Sequence, residues 1–539
     1  MLADKLRSVS QQVVPPSGDL TFIGSSTPAR LTSTSIVVTK PTDVASGDLL
    51  VVYVANDNSR TVTVPTGWTG QFDNTDLAIL TRVVDGTDGV SYTFTLSASA
   101  SIVASLVAFR NASFSLLGTV GGGDLSPSIT TTVSSFVLDY CFKTGGGGGL
   151  VTLSPGWFNL SELPSATGLS GTLIGRQYLA GATGDISLTF GGAGRDSILA
   201  SIASTGTIAA RFVAVAHGSS PYISVYPFLE NAGFGQKMNN PATLPGGTGN
   251  SVAFTASGDA IAIAHNTSGI TAYPWSIDGF GARFTNPATM PVGTGLSVAF
   301  NDAEDAIIVG HSTTPFISAY PWSTSGFGTK YANPVSVPAA AGNGVSFNPG
   351  GAYVAVAHAA GVGQPCVSVY PWSAGFGAKI TPSGTQLGSP CYSANFAPDN
   401  SAIAVSGNVT PYVAGYPWSG SFGTRYADPA TLPPGSSDTI IFSPSGTTVA
   451  VAHSTTPFIS AYAWSGGFGS KYADPASLPG ATGRGTVFSD TEQTVFYVST
   501  STPFVAAYKW SSGFGNKYAN PTTLPSAGAL DVAFCKITL

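Results

Sequence analysis

Charge is what this chain has least of. Asp, Glu, Lys and Arg make up 9% of its 539 residues, against roughly 25% in an average globular protein. Such poverty signals disorder only when hydrophobic residues are scarce too, and here they reach 43%. A net charge of −6 leaves no basic footprint, which excludes nucleic acid as a main partner. Cysteine is also rare. Cys141, Cys366, Cys391 and Cys535 lie too far apart for a metal-ligand or redox motif. They read as free thiols or buried small apolar residues, with Cys366 to Cys391 the one conceivable bridge. No run approaches the roughly 18 apolar residues of a membrane span, so no membrane insertion is expected. The opening Met-Leu-Ala-Asp-Lys-Leu-Arg lacks the apolar core of a signal peptide. What is plentiful is Gly (66) and Pro (37) between short apolar runs, the composition of turn-rich β structure.

A long repeat dominates the second half. Tyr-Pro-Trp or a close variant ends at Phe228, Trp275, Trp322, Trp372, Trp418, Trp464 and Trp510, at spacings of 47, 47, 50, 46, 46 and 46. Each unit holds four pieces: one like Ser251-Val252-Ala253-Phe254, one like Ala402-Ile403-Ala404-Val405, one like Pro315-Phe316-Ile317-Ser318-Ala319-Tyr320, and one opening at Gly-Phe-Gly and a basic residue. Short apolar runs bounded by Pro and Gly are strands. Four strands in a unit of roughly 40 to 50 residues is the β-propeller signature. The ends sharpen this. Phe212-Val213-Ala214-Val215 is second-strand material with no first strand before it, and Asp531-Val532-Ala533-Phe534 is first-strand material with nothing after it. The expected fold is therefore a seven-bladed ring closed by the C-terminal strand, which removes the exposed edges of an open array. Val-Ala-Phe, then Ser-Pro-Ser-Gly, then a strand ending near Trp resembles WD40-type blades over residues 211 to 539. Trp275-Ser276 and Trp322-Ser323 stand where that family has Trp-Asp, and its Gly-His pair is absent. The resemblance implies the ring and strand order, not the family's hydrogen-bond tetrad or intracellular partners.

The first half is duplicated. Gly47 to Tyr53 aligns with Ser135 to Tyr140, Pro65-Thr66-Gly67-Trp68 with Pro155-Gly156-Trp157, and Ile102 to Leu106 with Ile198 to Ile202. Two modules of about 95 residues with short alternating strands read as β-sandwiches. The full expectation is all-β: an N-terminal anchoring segment at 1–19, sandwiches at 20–112 and 113–205, and the propeller at 206–539. Gly-Asp-Leu-Leu, Pro-x-Gly-Trp and the turn Asp85-Gly86-Thr87 before Tyr-x-Phe resemble a sandwich module of bacteriophage structural and tail-fibre proteins. The Gly-Phe-Gly-Thr-Lys-Tyr-Ala-Asn-Pro repeats also resemble repeats of phage virion proteins.

Several residue types recur once per unit. All five histidines, His217, His265, His311, His358 and His453, share one position, where the remaining units have Ser406 and Ser499. Equal positions around a ring cannot converge on one ion, and metal ligation needs donors about 2 Å from it. They are read as closing the second strand by hydrogen bonds, with no metal. Trp275, Trp322, Trp372, Trp418, Trp464 and Trp510 are read as packing between units, with sugar stacking the functional alternative. The basic residues after Gly-Phe-Gly, Lys330 and Lys471 among them, bond a loop carbonyl or acidic neighbour, or else form a ring for anionic glycans. Sevenfold regularity favours the first. The loops between second and third strands vary more, so Ser312, Thr313, Thr314, Val362, Gln364, Thr455 and Thr456 are candidate receptor or glycan contacts.

No nucleophile elbow, phosphate loop or acid pair with His is present, although an Asp pair contributed by two units stays open. The expectation is no catalysis and no cofactor. The resemblance implies a phage virion protein, a tail fibre or appendage located in the virion. Its partners would be other virion proteins through the N-terminal region and a host receptor or glycan, in a homo-oligomer that is trimeric by analogy. The alternatives are a capsid-decorating or head-fibre protein and a secreted glycan-binding propeller.

Overall fold

A computed structural model describes residues 19–539 except 119–120, 123–124, 127, 132, 144–152, 164–168, 179–180, 183–185, 188–194, 205–207, 268, 361–363 and 385. The anchoring segment, the Gly145 to Gly149 run and Val362 lie outside the described residues. Every regular element described is a strand. The chain divides into two compact units. One holds the described residues up to Ala210 with Pro227–Gln236 and Thr538–Leu539, and the other holds Arg211–Tyr226 with Lys237–Ile537.

The first unit shows the duplication in its strand order. One sheet runs Thr21–Ser25, Ser91–Arg110, Leu49–Asn56, Leu77–Val83, Thr69–Asp73. The other repeats that order as Ala112–Leu117, Arg195–Ser204, Ser135–Lys143, Ser170–Tyr178, Phe158–Leu163. Two separate sandwiches were expected, and here the structure corrects the sequence reading. Leu49–Asn56 is apolar at almost every position and buried throughout, so both of its faces need cover. Leu50, Val52 and Val54 pack with Trp68 and Phe94 of their own copy. Leu49, Val51 and Tyr53 share one core with Phe136, Leu138 and Tyr140 of the other copy. Tyr53 stacks on Tyr140 with ring centroids 4.8 Å apart. The modules close on each other.

The second unit is a propeller-like repeat of seven small antiparallel sheets. A typical sheet runs Gly295–Phe300, Ala306–His311, Ile317–Ser323, Gly326–Phe327. The C-terminal strand Ala529–Thr538 lies beside Ala209–His217 in the first sheet, as the ends of the repeat require. Each Trp is clamped edge-on. Trp322 meets Phe327 of its own sheet at 5.0 Å, Phe300 at 4.9 Å and Phe284 of the preceding unit at 5.2 Å. A tyrosine bond recurs between units: Tyr273 Oη donates to Thr243 O, Tyr320 to Thr289 O and Tyr370 to Ser336 O. Tyr226 in the first sheet donates the same way to Thr523 O near the end of the chain, at 2.9 Å.

Cys366 and Cys391 form a disulfide, while Cys141 and Cys535 are buried thiols outside any disulfide. The reading of all four as thiols is corrected. Cys366 replaces the aromatic residue that opens the third strand elsewhere (Phe316, Tyr412), and Cys391 replaces a first-strand Gly. Both substitutions fall where adjacent units touch.

Candidate functional site

The first strands of the seven sheets align residue for residue, as Gly249-Asn250-Ser251, Gly295-Leu296-Ser297, Gly342-Asn343-Gly344, Cys391-Tyr392-Ser393, Ser437-Asp438-Thr439, Gly483-Arg484-Gly485 and Ala529-Leu530-Asp531. The first position is small because the backbone of the neighbouring turn presses on it. A Cβ on Gly295 would meet Gly269 O at 1.9 Å, and one on Gly249 would meet Tyr222 O at 2.4 Å. The second position is different. In six sheets the register with the second strand shifts across it, as between Gly295 and Ser297. It is thus the extra residue of a β-bulge, a device that re-aims a side chain. All seven second-position residues line one cavity of about 420 Å³. This is the position that a nearly invariant strand leaves free to vary: Asn, Leu, Asn, Tyr, Asp, Arg, Leu.

The third position ties neighbouring sheets together. Ser251 Oγ accepts from Val298 N at 3.3 Å, and Ser297 Oγ from Val345 N at 3.0 Å. Asp531 does the same in the first sheet, its Oδ2 accepting from Val252 N at 3.0 Å and its Oδ1 from Val532 N at 2.8 Å. Burial pushes the Asp531 carboxyl up to about 6, against the pull of its bonds to Ser251, Val252 and Val532. Arg484 Nη1 contacts Asp438 Oδ2 at 2.5 Å, with the guanidinium side chain 40% exposed. Burial raises Asp438 too, opposed by Arg484. Burial raises Tyr392, and Asp438 raises it further. The Nε of Arg484 is buried and has no hydrogen-bond partner among the described residues. Asn250 and Asn343 donate to Gly295 O at 2.7 Å and Cys391 O at 2.9 Å. The cavity thus holds an acid–base carboxyl, an ion pair, a phenol and two amides beside Leu296 and Leu530.

The residues singled out from sequence lie elsewhere. Each histidine is buried with Nε2 on a third-strand hydroxyl: His217 on Ser224, His265 on Thr271, His311 on Ser318, His358 on Ser368 and His453 on Ser460, at 2.8 to 3.0 Å. The tryptophans keep 4 to 8% of their surface, which leaves no face for a sugar. Lys330 bonds Asn333 and Lys471 pairs with Asp474, each three residues on, so these cations serve their own loops. Ser312, Thr313, Thr314, Gln364, Thr455 and Thr456 are exposed. The turns at 312–315 and 454–457 share one geometry, with Phe316 N donating to Thr313 O and Phe458 N to Thr455 O at 2.8 Å. The cavity residues were missed, although variation confined to one column of a repeat was visible in the sequence. The Asp pair left open there, Asp438 and Asp531, does line one space.

No family model matches the chain, and no curated protein matches it. Among solved structures it is similar to a 6-phosphogluconolactonase candidate from Bacteroides uniformis, at 12% identity and a TM-score of 0.48, over 60% of this chain and 99% of that one. A second candidate, from Bacteroides fragilis, gives 12% and 0.48 over 60% and 98%. A periplasmic gluconolactonase from Pseudomonas aeruginosa gives 13% and 0.47 over 61% and 99%. None of these is a phage protein. The virion reading is therefore withdrawn, and with it the tail-fibre role, host attachment and virion location. The expectation of no catalysis is withdrawn as well. These structures are named as lactonases or candidates for one, and burial raises one carboxyl of the cavity, Asp531, to about 6. Likeness of this degree assigns no residue roles, so function rests on the cavity.

Proposed function

We propose that residues 206–539 form a closed seven-bladed propeller, preceded by the duplicated modules 20–112 and 113–205, and that its central channel binds a small hydroxylated molecule. Three features support closure. The C-terminal strand sits in the first sheet, Tyr226 repeats the inter-unit bond onto Thr523, and Asp531 repeats the serine link onto Val252. The observation that carries the binding reading is the bulge position. Seven copies of one strand differ most where their side chains converge, which is what recognition demands and fold upkeep does not. In ring order, Asn343, Tyr392, Asp438 and Arg484 make a polar arc, while Leu530 and Leu296 flank Asn250 opposite. An amphipathic channel of about 420 Å³ suits a sugar-sized molecule, since ligand pockets run from roughly 300 Å³ upward.

The test is a monosaccharide panel followed by saturation-transfer NMR. Binding should be lost in Tyr392→Leu and Asn343→Leu and kept in Ser312→Ala, which alters an exposed turn. Binding that ignores the channel variants, or none at all, would remove the reading. Turnover is read in parallel with a sugar lactone, which combines an ester carbonyl with hydroxyls. Hydrolysis that Asp531→Ser abolishes would assign catalysis to the same channel.

A further inference from the structure

The channel's charges do not balance. Among the described residues lining it, the ionisable groups are Tyr392, Asp438, Arg484 and Asp531. Arg484 is the one cation and is engaged by Asp438 at 2.5 Å. Asp531 faces only the neutral donors Ser251, Val252 N and Val532 N. The corresponding residues of the next two sheets are Ser251 and Ser297, which make the same inter-sheet link without a charge. The link therefore does not require a carboxylate, and a half-buried carboxylate on the cavity wall with no cation bonded to it carries a desolvation cost. A fold-keeping role leaves that cost unexplained. A ligand that brings the missing positive charge explains it.

We propose that the channel's ligand carries a protonated amine, held by Asp531 in the sheet next to that of Arg484, so that the hydroxylated molecule is an amino sugar or a similar amino alcohol. This rests on the channel-binding reading and names its substrate class. The same charge sum disfavours sugar acids, because an anion would meet two carboxylates and a guanidinium already paired. The preference depends on pH. Burial raises Asp531 to about 6, so its charge develops as pH rises through that value, whereas the ammonium of an amino sugar, more acidic than an ordinary alkylammonium, keeps its proton throughout the acid range. Discrimination between charged and neutral sugars is therefore full near pH 7 and fades as pH falls through 6.

Glucosamine, glucose and gluconate titrated calorimetrically into the full chain at pH 7 and pH 5 decide the matter. At pH 7 glucosamine should bind at least tenfold tighter than glucose, with gluconate weakest. At pH 5 the gap between glucosamine and glucose should shrink. Asp531→Ser, which keeps the hydroxyl acceptor used by the neighbouring sheets, should bring glucosamine down to the affinity that the same variant has for glucose. Equal binding of the three sugars, or tightest binding of gluconate, overturns the amine while leaving the channel as a sugar site. Saturable binding of none of them overturns both readings. A glucosamine preference that persists in a folded Asp531→Ser protein overturns the assignment to Asp531.

Discussion

The histidine pairs explain a pattern that one column of the repeat left incomplete. The register corrects the sequence alignment at one unit: Gly407, not Ser406, stands opposite Cys391 as His311 stands opposite Gly295. Where His gives way to Gly407 or Ser499, the third-strand partner changes too, from Ser or Thr to Ala414 or Ala506. The two residues are exchanged as a unit, because a buried hydroxyl without its imidazole would stand unsatisfied. His453→Ser alone should cost about 1–3 kcal/mol, and adding Ser460→Ala should recover part of it, with a coupling of about 0.5–3 kcal/mol for residues in contact. Additive urea midpoints for the two changes would show the pair is not the unit. The pH sign follows from burial. His217, His265 and His453 are pushed down to about 4, from about 6.5 in an unfolded chain. Their contribution is full above pH 6.5 and is lost as pH falls towards 4. Asp531, raised to about 6, runs the other way, its contribution being lost as pH rises through 6. His311 and His358 are lowered by burial as well, and Asp438 is raised as Asp531 is. Five imidazoles outweigh two carboxyls, so the urea midpoint should fall between pH 7 and pH 4.5, and a flat profile would contradict the buried neutral imidazoles. Reading the third strand alongside the second would have shown this pairing from sequence alone.

Strands and their boundaries were legible because apolar runs, Pro and Gly mark them directly. The pairing of Ala529–Thr538 with Ala209–His217 was legible by counting strand types. The bulge was not, because a register shift is a property of two strands together and leaves no composition signal. Its trace was the variable second residue of Gly-Asn-Ser, Gly-Leu-Ser and Gly-Arg-Gly, overlooked beside the louder repeat of His and Trp. The C-terminal strand carries Asp531 and Leu530 as well as the edge of the first sheet. Truncation after Leu524 should therefore leave two bare strand edges and produce aggregation or loss of cooperative melting. A truncated protein that melts at the full-length temperature would show that the strand is dispensable.

In the first unit the duplication was visible but its consequence was not. Alternation tells which residues of Leu49–Asn56 point together, and it does not tell what covers each side. With odd positions against the other copy and even positions against their own, each copy supplies half of a common core. Fully burying a Val or Leu is worth roughly 1.5–3 kcal/mol, so removing one copy strips several such residues at once. Residues 19–112 produced alone should be insoluble or lack a cooperative transition in circular dichroism. The pair spanning 19–210 should melt cooperatively. A monomeric, cooperatively folding 19–112 would mean that the shared core is not needed.

The shared first sheet also sets a clock on synthesis. Ala209–His217 leaves the ribosome some three hundred residues before its partner Ala529–Thr538. Through most of translation the nascent chain carries a sheet that lacks its innermost strand, while units two to seven are completed one after another. Ala529–Thr538 completes that first sheet, and the cavity gains Asp531 only when this strand has been made. A chain stalled before Ala529 therefore lacks Leu530, Asp531 and Val532 from the lining of the cavity.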